Sequence, residues 1–265
     1  MEPSLTPAGR PWPSRDECLA AIRHGDGAGV IVAVLDTGVD PRHPDLADMP
    51  LAGTWRTAFR DGRCVIEPAE GNDLAGHGTA VAGIIHALAP AATILGISVL
   101  RADHRQSRHE ATRLGARFAM DRGARLLNCS FGVPGLAPTL PVYKEWTDEA
   151  FHRDCTVIAA SSNVSPDHVE YPAFFAQVIG VTAGEESHCT MLGSGSRHHV
   201  TIKAPGAGIR VPVPGGGHAQ VTGSSFAAAH VTGLLARLMS RFPGLTPSMA
   251  REALEQHAIS GDTPA

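Results

Sequence analysis

The stretch VIVAVLDTGVD, residues 30–40, decides the fold. Six apolar residues run without interruption and end at Asp36. A continuous apolar run of this length is typical of a strand that is buried on both faces of a parallel sheet. The polar triplet that follows puts a carboxylate at the carboxyl end of the strand, where open α/β sheets collect their functional residues.

Other segments repeat this pattern and alternate with helical ones. Four further apolar runs predict strands: TILGISVL (93–100), RLLNCS (125–130), CTVIAA (155–160) and QVIGVTA (177–183). Five segments predict helices: HGTAVAGIIHAL (77–88), RHEATRLGARFAMDRG (108–123), TDEAFHRD (147–154), SFAAAHVTGLLARLMSRF (225–242) and TPSMAREALEQHA (246–258). The alternation predicts an α/β fold with a central, mostly parallel, twisted sheet and helices on both faces.

The chain divides into one large domain and two short ends. Residues 1–24 read as an N-terminal arm and a short helix, which begins after the capping-box pattern SRDE at 14–17 and runs to Ile22. Residues 25–260 contain no linker-like break and are predicted to form a single domain. Residues 261–265 are a tail.

Composition excludes several classes of protein. The 265 residues are 43% hydrophobic and 18% charged, with a net charge of −4, so nothing favours binding to nucleic acid or to an anionic membrane. The N-terminus has no signal-peptide core, and no apolar run approaches the roughly 20 residues of a membrane span. Five widely spaced cysteines without a CxxC pair predict reduced thiols and no zinc site. We therefore expect a cytoplasmic protein.

Two further segments carry groups that can act with Asp36. NDLAGHGTAVAG (72–83) places His77 at the start of one predicted helix, and VTGSSFAAAHVTG (221–233) places Ser225 at the start of another. A carboxylate, an imidazole and a hydroxyl are the components of an activated nucleophile. The other known use of Asp-Thr-Gly, a pair of aspartates sharing a proton, needs two such triplets, and this chain has one.

The three segments around Asp36, His77 and Ser225 resemble the motifs of a known protein family. DTGVDPRHPDL (36–46), GHGTAVAG (76–83) and GSSFAAAH (223–230) are similar, in order, to the three catalytic blocks of the subtilisin-like serine proteases, and the resemblance covers about residues 25–242. It implies a three-layer subtilisin-like fold and a serine endopeptidase that works through an acyl-enzyme. It also implies a peptide or protein substrate that binds as an extended strand.

The resemblance assigns a role to each site residue. Ser225 is the nucleophile, His77 the base and then the acid, and Asp36 orients the ring of His77. The side chain of Asn163 and the backbone N–H of Ser225 form the oxyanion hole.

The resemblance also implies two walls of a substrate cleft, near residues 101–106 and 130–132. The substrate-binding residues are His104, Arg105, Gln106, Ser130, Phe131, Gly132, Ala160, Ser161 and Ser162. Those from Ser130 to Gly132 and from Ala160 to Ser162 border the pocket for the residue before the cut, which Phe131 is expected to narrow. His104 and Arg105 make one rim basic, which favours acidic or polar substrate side chains beyond the first subsite.

The sequence departs from the family near a common calcium site. Asp45 matches an aspartate that often contributes to it, but the chain between His77 and ALAP (87–90) is too short for the main calcium loop. We therefore expect no required cofactor and no high-affinity calcium site, with a weak cation site left open. Ala80, Ser162, Ser224 and Ala229 replace the usual His, Gly, Thr and Pro, and none of them removes a catalytic group.

More than one specific role stays open. A general protease is hazardous inside a cell, so the enzyme is expected to be selective for a precursor or leader peptide, weakly active, or activated by a partner protein. The same triad could serve a peptide macrocyclase, in which an amine replaces water. A pseudoprotease that only binds peptides is the alternative outside the enzymes, and residues 1–24 could be autoinhibitory.

Overall fold

The computed structural model describes residues 12–71, 73–100, 108–165, 168–185, 190–191 and 200–260. The helices are α1 Arg15–His24, α2 His77–Leu88, α3 Arg108–Asp121, α4 Leu140–His152, α5 Ser224–Arg241 and α6 Pro247–Ser260. The strands are β1 Ile31–Asp36, β2 Leu51–Arg60, β3 Arg63–Pro68, β4 Thr93–Ser98, β5 Leu126–Cys129, β6 Val133–Pro134, β7 Thr156–Ala160, β8 Glu170–Tyr171, β9 Ile179–Gly184, β10 Thr190–Met191, β11 Val200–Pro205, β12 Ile209–Val213 and β13 Gly217–Val221.

A nine-stranded sheet forms the middle layer, in the order β10-β11-β9-β7-β5-β1-β4-β2-β3. Its interior pairs are parallel, and the pairs at its two edges, β10–β11 and β2–β3, are antiparallel. The predicted mostly parallel α/β sheet is confirmed. Strand β1 pairs with β4 on one side and with β5 on the other. The carboxyl end of β1 is therefore the topological switch point of the sheet, the place where open α/β sheets bind their ligands.

Alternate residues of β1 enter two separate cores. Val32 and Val34 pack with α1, α2, α5 and α6 on one face. Ala33 and Leu35 pack with α3 and α4 on the other. The apolar run of β1 has no polar positions because both of its faces are covered by helices.

The N-terminal helix is anchored to the domain. The capping box of α1 is present, with Ser14 N donating to Glu17 Oε2 at 2.8 Å and Glu17 N donating to Ser14 Oγ at 3.3 Å. The helix ends at His24, two residues beyond the expected end, and buries Ile22 in the first core.

Helix α4 differs most from its prediction. It begins at Leu140 rather than at Thr147, so the predicted start was wrong. The extra turns bury Tyr143 and Trp146 completely. Burial of these two large rings outweighs the weak propensity of a segment that opens with Leu-Pro.

The described cysteines, Cys18, Cys64, Cys129 and Cys155, are all free thiols. Among the described residues no helix is long and apolar enough to cross a membrane.

Candidate active site

A buried carboxylate stands at the end of β1. Asp36 has no solvent exposure, and its Oδ1 accepts hydrogen bonds from Thr37 N at 2.7 Å and from His77 Nδ1 at 2.8 Å. Because a carboxylate only accepts, Nδ1 of His77 carries the proton. The other ring nitrogen, Nε2, is therefore left as a free base in the neutral ring.

His77 is the first residue of α2, and glycine permits its position. Gly76 adopts a left-handed conformation with φ 77°. A Cβ atom at Gly78 would lie 2.0 Å from the carbonyl oxygen of Gly38. Only glycine lets the helix begin so close to the loop after β1.

A second buried carboxylate, Asp73, fastens this corner and was not singled out in the sequence. Its two oxygens accept hydrogen bonds from Thr37 Oγ1 at 2.8 Å, Gly76 N at 3.0 Å, Thr79 N at 2.9 Å and Thr79 Oγ1 at 2.9 Å. It acts as an N-terminal cap of α2 and as a link to the loop after β1. An aspartate shortly before a helix start was the available signal.

The carboxylates of Asp36 and Asp73 affect the pKa of His77. Burial lowers the pKa of His77, but the hydrogen bond to Asp36 and the negative charges of Asp36 and Asp73 raise it, and the net pKa is raised. The site therefore stabilises the imidazolium form.

Ser225 lies in the first turn of α5, close to this corner. The ring of the next residue, Phe226, is 5.5 Å from the ring of His77. The Ser225 hydroxyl donates to the carbonyl oxygen of Ser130 at 3.0 Å. In the structure described, no hydrogen bond joins Ser225 to His77. Catalytic contacts of this kind often tighten only when substrate is bound.

The predicted oxyanion asparagine is held by the residue before Ser225. Ser224 N donates to Asn163 Oδ1 at 2.8 Å, and Ser224 Oγ donates to the carbonyl oxygen of Ser161 at 2.6 Å. The side-chain oxygen of Asn163 is thus occupied, and its amide N–H groups are available to an incoming oxyanion. Ser224 was noted in the sequence only as a departure from the usual threonine.

Of the predicted pocket residues, Ser130 contacts Ser225 directly. Ser130 Oγ accepts from Asn128 Nδ2 at 2.7 Å and donates to the carbonyl oxygen of Ser225 at 3.0 Å. Phe131 is only 8% exposed and packs in the second core. Gly132 is half-buried. The remaining predicted residues are buried at the end of β7 and just after it: Ala160, Ser161 and Ser162. The predicted rim residues His104, Arg105 and Gln106 lie outside the described residues.

Asp45, the possible cation ligand, is engaged by a histidine. Its Oδ2 lies 2.7 Å from Nε2 of His218 on β13. The hydrogen bond from His218 lowers the pKa of Asp45. Within the part of the chain that the structure describes, no three histidine, cysteine, aspartate or glutamate side chains cluster as metal ligands.

Comparisons with known proteins identify the family and the fold of this chain. The subtilase family model matches residues 27–264. Subtilisin BL of Lederbergia lenta is 33% identical over 94% of this chain and 91% of its own length. Fervidolysin of Fervidobacterium pennivorans is 34% identical over 88% of this chain, which spans only 38% of that protein. The solved structure of an S41 psychrophilic protease superposes with a TM-score of 0.69 over 87% of this chain and 83% of its own, at 24% identity.

The fold is confirmed by such structures, and the family by both the model match and the relatives. The chain belongs to the subtilase family and is a subtilisin-like serine endopeptidase.

Proposed function

We propose that Asp36, His77 and Ser225 hydrolyse peptide bonds as a catalytic triad, with Asn163 and the N–H of Ser225 as the oxyanion hole. The observation that carries the proposal is the hydrogen bond of 2.8 Å from His77 Nδ1 to the buried Asp36. It fixes the tautomer and leaves Nε2 as a free base, in a ring that lies 5.5 Å from the ring of Phe226, the residue after Ser225.

The chemistry follows from these positions. The Ser225 hydroxyl leaves the Ser130 carbonyl, donates its proton to His77 Nε2 and attacks the substrate carbonyl carbon. The developing oxyanion accepts hydrogen bonds from the N–H of Ser225 and from Asn163 Nδ2. His77 then protonates the leaving amine, and a water molecule hydrolyses the acyl-enzyme with His77 again acting as base.

Covalent labelling with a fluorophosphonate probe, read by intact mass, tests the triad. A single adduct is expected on the wild-type protein and none on Ser225→Ala, with Ser240→Ala on the same helix as the matched control. Absence of an adduct on the folded wild-type protein would contradict the proposal and favour a pseudoprotease.

We further propose that the enzyme is selective, for a precursor or leader peptide bound as an extended strand. The contact between Ser225 Oγ and the Ser130 carbonyl supports a need for activation on binding, because the nucleophile is not yet directed at its base. A substrate backbone N–H, or a partner protein that reshapes this loop, would release it. Cleavage of a wide range of unrelated unfolded proteins at similar rates would contradict this proposal.

The mass of the product separates hydrolysis from the macrocyclase alternative. Hydrolysis gives two linear fragments whose summed mass exceeds that of the substrate by one water. Cyclisation gives a ring and a released segment without added water. We expect only linear fragments.

We propose that activity needs no cofactor and no tightly bound calcium. The engagement of Asp45 by His218 supports this, because the hydrogen bond to His218 Nε2 already occupies one oxygen of the carboxylate. A chelator is expected to leave the melting temperature and the labelling rate of Ser225 unchanged. A substantially lower melting temperature that calcium restores would contradict it.

We also propose a reducing, cytoplasmic setting. The support is chemical: four described thiols are free, and burial raises the pKa of Cys155 to about 12, so it is inert.

A further inference from the structure

A carboxylate lies against the glycine of the proposed pocket. A Cβ atom at Gly132 would lie only 2.2 Å from Oε2 of Glu170. Gly132 is two residues beyond Ser130, whose carbonyl oxygen holds the Ser225 hydroxyl at 3.0 Å. Two residues of chain span at most about 7 Å. A long substrate side chain bound near Ser225 can cover this distance to Glu170. Glu170 was not singled out in the sequence.

Strand pairing fixes the position of Glu170. Strands β6 and β8 are antiparallel, with Pro134 opposite Glu170 and Val133 opposite Tyr171. Successive side chains of a strand point to opposite faces. Tyr171 is 4% exposed and stacks on Phe175 at 4.7 Å, so it anchors β8 to the core and directs Glu170 the other way.

The loops that carry this pair are joined to each other. Gly135 N donates to the carbonyl oxygen of Val169 at 2.9 Å, and a Cβ atom at Gly135 would lie 2.2 Å from a side-chain methyl of Val169. The β6–β8 pairing and these Gly135–Val169 contacts hold Gly132 and Glu170 together, so the carboxylate is part of a formed wall.

Among the residues that the structure describes, none pairs with the carboxylate of Glu170. Glu67, Glu110 and Glu149 each contact an arginine. Within the described residues, Glu170 makes no side-chain hydrogen bond or ion pair, although it is half-buried. A half-buried negative charge without a partner is best stabilised by a cation that arrives with a ligand.

We propose that Glu170 makes this enzyme prefer substrates with lysine or arginine immediately before the scissile bond. The inference rests on the proposed function and names the substrate class of the same pocket. A carboxylate in this pocket selects basic residues in serine proteases of an unrelated fold. Arginine can engage the two carboxylate oxygens together, and lysine binds as a point charge.

Peptides that differ only in the residue before the cut test the proposal. With lysine, arginine, glutamine, leucine and glutamate at that position in one fluorogenic frame, kcat/KM is expected to be about 10- to 100-fold higher for the basic residues than for glutamine. Higher salt should reduce the preference, because it screens the charge pair.

Three variants isolate the charge. Glu170→Gln keeps the shape and should bring lysine and glutamine within about threefold of each other. Glu170→Lys should favour glutamate. Glu252→Gln removes an exposed carboxylate on α6 and should leave the profile unchanged. A wild-type preference for leucine, or a basic preference that survives in Glu170→Gln, would overturn the inference while leaving the proposed hydrolysis intact.

A binding measurement separates the two proposals when turnover is absent. Benzamidine is a small aromatic cation, and its binding to the Ser225→Ala protein can be measured by calorimetry without catalysis. Binding that weakens about tenfold or more in the Ser225→Ala, Glu170→Gln double variant would support the pocket assignment. Equal binding to the two proteins, or none, would overturn it, whereas failure of fluorophosphonate labelling would bear on the triad alone.

Discussion

The two halves of the site differ in how completely they are assembled. In the base half, formed by Asp36, Thr37, Asp73, His77 and Thr79, the carboxylates and hydroxyls fix the ring through mutual hydrogen bonds. In the nucleophile half, formed by Ser130, Asn163, Ser224 and Ser225, the backbone is anchored, but the reacting hydroxyl is turned to a carbonyl. In the proposed mechanism, this difference means that the base is organised before substrate arrives and that substrate completes the alignment of the nucleophile.

The largest expected effect comes from the one residue on which both halves depend. His77→Ala removes the base and the acid, and kcat/KM should fall by about 10⁴-fold or more. The rate of fluorophosphonate labelling at Ser225 reports the same loss without a substrate. Thermal unfolding serves as the control, since a large fall in melting temperature would show that the variant lost its fold instead.

Asn163→Ala removes a group of the nucleophile half that acts only in the transition state. We expect kcat to fall by about 10²–10³-fold with little change in KM. Ser224→Ala is the companion variant, since it removes the hydroxyl bonded to Ser161 but keeps the N–H that holds Asn163. An equal loss in the two variants would show that positioning of the turn, and not the amide of Asn163, is what matters.

Asp73→Asn weakens the base half without touching a reacting atom. The substitution removes a negative charge that raises the pKa of His77, so the acid limb of the kcat/KM profile should move to lower pH. The free energy of unfolding should fall by about 1–3 kcal/mol, because an amide cannot accept all four hydrogen bonds of the carboxylate. A stability loss with an unmoved pH profile would limit Asp73 to a structural role.

The sequence predicted the proposed reacting residues but not the carboxylates that lie around them. Asp36, His77 and Ser225 could be placed because a buried strand end and two helix starts converge in a parallel sheet, and the family motifs gave their order. Asp73 and Glu170 could not be placed, because each acts through residues brought close only by folding. The antiparallel pairs β2–β3 and β12–β13 were also missed, since their mixed apolar and polar residues show neither a continuous apolar run nor a helical period.

The smallest expected effect is a gradual fall in the free energy of unfolding as the pH is lowered. It arises on α5, the helix that carries Ser225. Burial, with the positive charges of His257 and Arg237, lowers the pKa of His230 on α5 from 6.5 to about 4. Between these values the unfolded chain binds a proton that the folded chain does not, so stability should fall as the pH drops from about 6.5 to 4. His230→Gln should flatten this slope in chemical unfolding, whereas His152→Gln, on α4, should not. Because His230 lies on α5, acid should reduce the reactivity of Ser225 in wild-type protein more than in His230→Gln, and an equal reduction would show that His77 alone governs the response.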